Sequence, residues 1–152
     1  TMTTYRRERS HDLWAEIMPL LHEHKEEIAN HADIALAPDV ARYNEVEDIG
    51  KLRCYTARMA GVLVGYAIFF LDYNLHYSGS LQANQDVLFV SKTHRHGRVW
   101  IGLIWFTERE LKAEGCQLVY HHLKTKRPEI IALFHKLDYV DADLIVSKRL
   151  DK

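Results

Sequence analysis

The chain has 152 residues, of which 47% are apolar, and a formal net charge of -1. This length and apolar share predict one compact domain with a buried core, spanning residues 1–152. The near-neutral charge excludes a polycation that binds nucleic acid or an anionic membrane through bulk charge, so we expect neither partner.

Several other classes of protein are excluded by simple patterns. No apolar stretch is long enough to cross a bilayer, and the polar N-terminus lacks the apolar core of a signal peptide. Cys54 and Cys116 lie far apart and match no metal-binding spacing. The ten histidines show no ligand spacing with a known mechanism either, so no metal site is predicted. A reduced, cytoplasmic protein is the expectation.

The N-terminal part of the chain predicts one strand and two helices. Residues 3–9 are rich in β-branched and aromatic side chains, which is typical of a strand. Ser10 is the predicted N-cap of a first helix, which Pro19 is expected to kink. A second helix begins around residues 37–39, and Gly50 ends it.

Three strands are predicted next. The apolar runs 52–58 and 62–71 are separated by Met59-Ala60-Gly61, which predicts a hairpin. The polar stretch 72–80 is a loop. Residues 82–90 form a fourth strand whose end is apolar on both faces, as is typical of a central strand.

The remaining elements alternate between helix and strand. A helix runs from Val99 to about Glu114, a fifth strand covers 118–122, a short helix covers 128–137, and a sixth strand covers 139–149. A hairpin-rich first half followed by a βαβ second half predicts a mixed α/β sheet of six or seven strands with flanking helices.

The most informative segment runs from Val87 to Ile104, where an apolar strand leads through a short basic loop into an apolar helix. The loop carries Lys92, Arg95, Arg98 and two histidines. Backbone N–H groups at a helix N-terminus and these cations converge on one point, which suits a phosphate group. The expected ligand is therefore polyanionic, and a nucleotide cofactor fits better than a carboxylate; a solvated cationic turn is the alternative.

This order of elements resembles the GNAT superfamily of N-acetyltransferases, most closely at Asp86–Gly115 and Pro128–Tyr139. In that family an Arg/Gln-x-x-Gly-x-Gly/Ala turn follows the fourth strand and holds the pyrophosphate of acetyl-coenzyme A. Here the motif falls on residues 95–100: Arg95 matches, whereas Arg98 and Trp100 stand where small residues are usual. The resemblance implies an acetyl-CoA-dependent N-acetyltransferase.

The resemblance also implies where the cofactor binds. The backbone of the fourth strand lies along the pantetheine, one of its N–H groups faces the thioester oxygen, and the basic loop surrounds the pyrophosphate. The implied residues are Leu88, Phe89, Val90, Arg95, His96, Gly97, Arg98, Val99 and Trp100. Phe134 falls where many members keep a tyrosine that protonates the leaving thiolate, and a phenyl ring cannot donate a proton. A different residue or water must serve.

Three residues are candidates for acid–base catalysis. Asp86 is the first candidate base, because the resemblance places the acceptor amine near this part of the fourth strand. His76 is the second, because imidazole titrates near neutrality. Tyr77 is a candidate proton donor. Each residue has a structural alternative: a salt-bridged strand aspartate, a surface imidazole and a packed aromatic ring.

The finer functional expectations follow from a narrower resemblance. Leu75-His76-Tyr77, then Leu81, Asp86 and His94-Arg95, resemble a branch of GNAT proteins common in bacteriophages and prophages. The acceptor is expected to be a primary amine on a small molecule or a protein, and family members often form homodimers. The alternative hypothesis is a non-catalytic GNAT-like binding module with a degenerate active site, acting through protein–protein contacts. A weaker third hypothesis is DNA binding by the basic loops.

Overall fold

The computed structural model describes residues 2–95 and 98–152. The chain forms two compact units, one of residues 1–122 and one of residues 123–152. One domain over the whole chain stays a prediction. His96 and Gly97, two of the predicted cofactor-binding residues, lie outside the described residues.

The first unit contains a five-stranded sheet in the order β1-β2-β3-β4-β5. The strands are β1 (Thr3–Arg7), β2 (Leu52–Met59), β3 (Val62–Tyr73), β4 (Leu81–Val90) and β5 (Leu118–Tyr120). Neighbouring strands are antiparallel except for β4 and β5, which are parallel. The prediction of a mixed α/β sheet is confirmed.

The helices lie close to where the sequence predicts them. They are α1 (Trp14–Ile28), α2 (Val40–Asp48), α3 (Val99–Ala113) and, in the second unit, α4 (Pro128–Lys136). The prediction that Ser10 caps α1 is wrong, because Ser10 lies in a preceding 3-10 turn and Leu13 holds the N-cap position without a side-chain hydrogen bond. None of the helices in the described part of the chain has the length and apolarity needed to cross a membrane.

The helices of the first unit cover both faces of its sheet. Cys54 of β2 belongs to a buried cluster with Leu13 and Ile17 near α1. The next residue, Tyr55, points to the other face, where its ring lies edge-on to Phe106 of α3 with 5.9 Å between centroids. The sheet is therefore the middle layer, and β4 is accessible to residues from α1 and α2 on one side and α3 on the other.

Residues 139–149 do not form the predicted sixth strand. No strand is assigned within this range, and its apolar side chains are exposed at Val140, Leu144, Ile145 and Val146. Loose apolar alternation predicted the strand, but a strand exists only through hydrogen bonds to a neighbour. The sheet in the described residues thus has five strands rather than six or seven.

Candidate functional site

β4 carries a β-bulge at Asp86. In the pairing with β3, Ile68 faces Val87 whereas Phe69 faces Gln85, so no residue of β3 lies opposite Asp86. A bulge bends the strand and redirects the side chain of the extra residue, which is why bulges occur next to active sites. The carboxylate of Asp86 is thereby turned toward α2.

A tyrosine on α2 contacts this carboxylate. Tyr43 Oη donates a hydrogen bond to Asp86 Oδ2 at 2.5 Å. The Tyr43 ring lies between Trp14 and Phe70, with centroid distances of 5.0 and 6.1 Å. Sequence reasoning missed Tyr43, because it precedes Asp86 by 43 positions and no local spacing connects the two.

The surroundings of Asp86 change its acidity. The side chain is exposed on one side, but protein atoms remove part of the water around the carboxyl group. This desolvation raises the pKa of Asp86, while the hydrogen bond from Tyr43 and the charge of His122 lower it by less. Burial and the bond to Asp86 raise the pKa of Tyr43. The phenol therefore keeps its proton, and the carboxylate is the acceptor of the pair.

β5 covers only the first part of β4. The two strands pair over Gln82–Asn84 and Leu118–Tyr120, and β4 then continues to Val90 after β5 has ended. The second part of β4 thus has β3 on one side, and no strand of the described chain pairs with its other edge.

The backbone of Leu88 faces this uncovered edge. Ser91 N–H donates to Val64 O at 2.8 Å, so the backbone groups of Ser91 point toward β3. Because these directions alternate along an antiparallel strand, those of Phe89 also point to β3, whereas those of Leu88 and Val90 point away. Arg95 Nε donates to Val90 O at 2.8 Å, which agrees with this direction. Of the three β4 residues predicted to bind the cofactor, two therefore present backbone groups to the open edge.

Two acidic residues of α1 hold the basic turn that follows β4. Glu27 Oε1 lies 2.9 Å from Arg95 Nη2 and 3.7 Å from Lys92 Nζ. Glu23 Oε1 accepts a hydrogen bond from the backbone N–H of Lys92 at 3.2 Å. Arg95 Cζ also lies 5.3 Å from the centroid of the Phe89 ring. The guanidinium of Arg95 is thus already paired, a contact that its position in the motif did not reveal.

The start of α3 has the features of an anion site. Arg98 occupies the N-cap position, is exposed, and makes no capping hydrogen bond with its side chain. The backbone N–H groups of Val99, Trp100 and Ile101 in the first turn have no acceptor within the helix, and the helix dipole places partial positive charge there. The binding of a phosphate group at this helix start stays a prediction.

Tyr5 of β1 packs against the first turn of α3. Its hydroxyl lies 3.4 Å from Val99 O, to which it donates. A Cβ atom added to Gly102 would lie 2.1 Å from Tyr5 Oη, so only glycine permits this approach.

His76 and Tyr77 lie in the loop between β3 and β4. Asn74 Oδ1 accepts hydrogen bonds from both of their backbone N–H groups, at 2.8 and 3.2 Å, and both side chains are exposed. The loop precedes Leu81, and at about 3.4 Å per residue Leu81 lies about 17 Å along β4 from Asp86. The structure does not bring these two residues together with Asp86, and their catalytic role stays a prediction.

The histidines after β5 differ in environment. His121 Nδ1 lies 2.9 Å from Gln85 Oε1, and burial together with the charge of His122 lowers the pKa of His121 to about 3. His121 is therefore neutral at physiological pH, whereas His122 is exposed. In the part of the chain that the structure describes, no group of three histidine, cysteine or carboxylate side chains could hold a metal ion.

In the second unit, Phe134 of α4 is buried and packs edge-on against Tyr139, with 4.9 Å between ring centroids. The resemblance aligned Phe134 with a proton-donating tyrosine. In the structure Phe134 is a buried packing residue. The second unit thus supplies no hydroxyl at this position.

Comparison with known proteins extends these observations. No protein-family model matches the sequence, and no curated protein matches it. Solved structures, in contrast, match almost the whole chain. One is the ribosomal-protein-alanine N-acetyltransferase from Brucella melitensis biovar Abortus 2308, with 15% identity, coverage of 98% of this chain and 99% of that one, and a TM-score of 0.75.

Two further structures are equally informative. A transcriptional regulator from Bacillus halodurans C-125 has 18% identity, coverage of 98% of this chain and 100% of that one, and a TM-score of 0.78. AAC(6')-Iy, in complex with the bisubstrate analog CoA-S-monomethyl-acetylneamine, has 18% identity, coverage of 98% of each chain and a TM-score of 0.72. At these identities the likeness shows the fold, and the chain has the fold of the GNAT acetyltransferases that its order of elements predicted.

Proposed function

We propose that the chain is an acetyl-CoA-dependent N-acetyltransferase that acetylates a primary amine by direct attack on the thioester. The observation that carries the proposal is the unpaired edge of β4 that begins where β5 ends. This edge lies between the Asp86 carboxylate and the start of α3, which has no side-chain cap. A carboxylate, an open strand edge and an anion site follow one another along this part of the chain. Their order suits an amine, a thioester and a diphosphate held in line.

The residues present fit the donor. Acetyl-CoA would supply the acetyl group as a thioester. The Leu88 N–H, on the uncovered edge, is directed so that it can donate to an acyl oxygen and stabilise the negative charge that develops there. The open edge of β4 accommodates the pantetheine, and the first-turn N–H groups of α3 donate hydrogen bonds to the diphosphate. In this proposal the donor site comprises Leu88, Phe89, Val90, Arg95, His96, Gly97, Arg98, Val99 and Trp100.

Asp86 is the proposed acid–base residue. Its carboxylate orients the acceptor's ammonium group and takes its proton before the nitrogen attacks. Its raised pKa makes it a stronger base than an ordinary aspartate. His76 and Tyr77 remain second candidates. Because Phe134 has no proton to give, another residue or water protonates the departing thiolate.

A second candidate function is the non-catalytic binding module. The ion pairs of Glu27 with Arg95 and Lys92 favour it, because they neutralise the cations that a diphosphate would contact. Such a module would act through protein contacts and would either not bind the donor or bind it without transfer.

Calorimetry with acetyl-CoA, followed by thiol release in the presence of amines, tests the proposal. We expect binding with a dissociation constant below about 1 mM, in the usual range of Michaelis constants, and thiol release with at least one amine. The amine panel contains a polyamine, an aminoglycoside and a peptide with a free N-terminal alanine. No binding at about 1 mM would contradict the proposal. Binding without thiol release from any amine would support the module.

Three finer expectations accompany the proposal. We propose a homodimer, a cytoplasmic location and kinship with the phage and prophage branch, all of which rest on resemblance or composition. Analytical ultracentrifugation of the purified chain tests the dimer, since a monomer at all concentrations would contradict it.

A further inference from the structure

We propose that Tyr43 is a positioning residue for Asp86, and that its hydroxyl holds the carboxylate in the orientation that receives the acceptor's ammonium group. The assignment of that acceptor rests on the proposed function. The Tyr43–Asp86 contact does not, so the two ideas can fail separately.

The geometry leaves one side of the carboxylate available. In the described residues Tyr43 Oη is the hydrogen-bond donor to Asp86, and it binds Oδ2. Asp86 forms no ion pair within the described residues, and its side chain is exposed. An exposed aspartate samples several rotamers, and fixing one before a ligand arrives removes that entropic cost from binding. Oδ1 is then presented to an ammonium group.

Tyr43 is rigid enough to fix its partner. Its ring lies between those of Trp14 and Phe70, and Trp14 Nε1 donates to Asn44 Oδ1 at 3.3 Å. Phe70 is itself 36% exposed, so an aromatic surface is available on the same face of the sheet as the carboxylate. Alkyl carbons next to an ammonium group can pack on such a surface.

The titratable groups around Asp86 come from three elements: Tyr43 from α2, Tyr66 from β3 and His122 after β5. Burial is the main cause that raises the pKa of Tyr66, and the charge of Asp86 adds to it. Both phenols therefore stay protonated near neutrality. Tyr66 Oη is fully buried and has no hydrogen-bond partner in the described residues, so Tyr66 offers a matched control.

The test compares Tyr43→Phe with Tyr66→Phe, each of which removes one hydroxyl near the same carboxylate. The Asp86 carboxyl is titrated by carbon NMR. Loss of a hydrogen bond to the charged form should move the midpoint upward by about one pH unit in Tyr43→Phe, and by much less in Tyr66→Phe. Equal midpoints in Tyr43→Phe and the wild type would overturn the proposal, as would equal shifts in the two variants.

Transfer kinetics separate positioning from a structural role. In Tyr43→Phe we expect kcat/KM for the acceptor to fall about tenfold, with its acid limb moved upward, at unchanged affinity for acetyl-CoA. A loss of stability with unchanged acceptor kinetics would overturn the positioning role. Should Tyr43→Phe not fold, the Tyr43 hydroxyl proton is observed directly: a downfield signal in the wild type must disappear in Asp86→Asn, and its absence from the wild type would overturn the proposal.

The role of Tyr43 can be tested even if the protein proves not to be an acetyltransferase. If the wild type transfers no acetyl group, butylammonium chloride replaces the acceptor as a probe. The Asp86 carboxyl signal must then shift with butylammonium in the wild type and shift less, or at higher concentration, in Tyr43→Phe. Equal responses in both proteins would overturn the inference.

Discussion

The two ends of the uncovered part of β4 differ in how their charges are balanced. At the bulge, Asp86 has a neutral donor, Tyr43, and no ion-pair partner in the described residues. In the turn after β4, Lys92 and Arg95 are already matched by Glu27. A cation that binds at the bulge therefore displaces no internal cation of the described residues, whereas an anion that binds at the turn competes with the carboxylate of Glu27.

Replacing Asp86 by asparagine should have the largest effect. The amide keeps the shape but cannot take a proton, so kcat/KM for the acceptor should fall by about a hundredfold or more, with unchanged affinity for acetyl-CoA. Steady-state kinetics and calorimetry measure the two quantities. Asp72→Asn is the matched control, since Asp72 is an exposed carboxylate of β3 paired with Lys51 at 3.0 Å. Similar losses of kcat/KM in both variants would show that Asp86 has no specific role in the transfer.

Arg95→Ala tests the donor end. It removes a guanidinium next to the proposed diphosphate site, so the affinity for acetyl-CoA should fall about tenfold in calorimetry. Arg109→Ala is the control, because Arg109 lies on α3 and its guanidinium covers the Phe106 ring at 5.1 Å. Unchanged affinity in Arg95→Ala would mean that this guanidinium serves only its contacts within the protein, with Glu27, Val90 and Phe89.

Gly102→Ala tests whether the start of α3 depends on Tyr5. The added methyl group would overlap the Tyr5 ring and displace its hydroxyl from Val99 O. Overpacking costs about 1–3 kcal/mol, and the higher helix propensity of alanine offsets about 1 kcal/mol of this. Urea unfolding should therefore show a net loss of about 1 kcal/mol. Gly79→Ala, where no atom lies within 4 Å, is the control, and an equal change in both variants would contradict the account.

Glu27→Gln should have the smallest effect, and in the opposite direction. Removing the charge frees Arg95 and Lys92 and reduces repulsion of a diphosphate, so acetyl-CoA should bind about two- to fivefold more tightly. Glu26→Gln, at the preceding residue of α1, is the control. Weaker binding in Glu27→Gln would show that Glu27 orients Arg95 for the donor rather than competing with it.

The sequence predicted the features that depend on interactions between residues close together in the chain. The β2–β3 hairpin was predictable because Ala60 and Gly61 adopt positive φ angles of 50° and 80° in a two-residue turn, which is a local property. The change from strand β4 to helix α3 was predictable for the same reason. Both depend on residues that are neighbours in the chain.

Long-range pairings were not predictable in this way. Tyr43 meets Asp86 across 43 positions, and Glu27 meets Arg95 across 68. The charge of the basic turn was visible in the sequence, but its neutralisation depends on where α1 packs. The sixth strand failed likewise, because apolar alternation over 139–149 is local whereas a pairing partner is not.

A crystal structure of the complex with acetyl-CoA would show directly whether the donor lies along β4 and reaches the start of α3. We predict a diphosphate within hydrogen-bond distance of the first-turn N–H groups of α3 and an acyl oxygen facing the N–H of Leu88. A diphosphate bound elsewhere, or an acyl group away from the uncovered edge of β4, would contradict it.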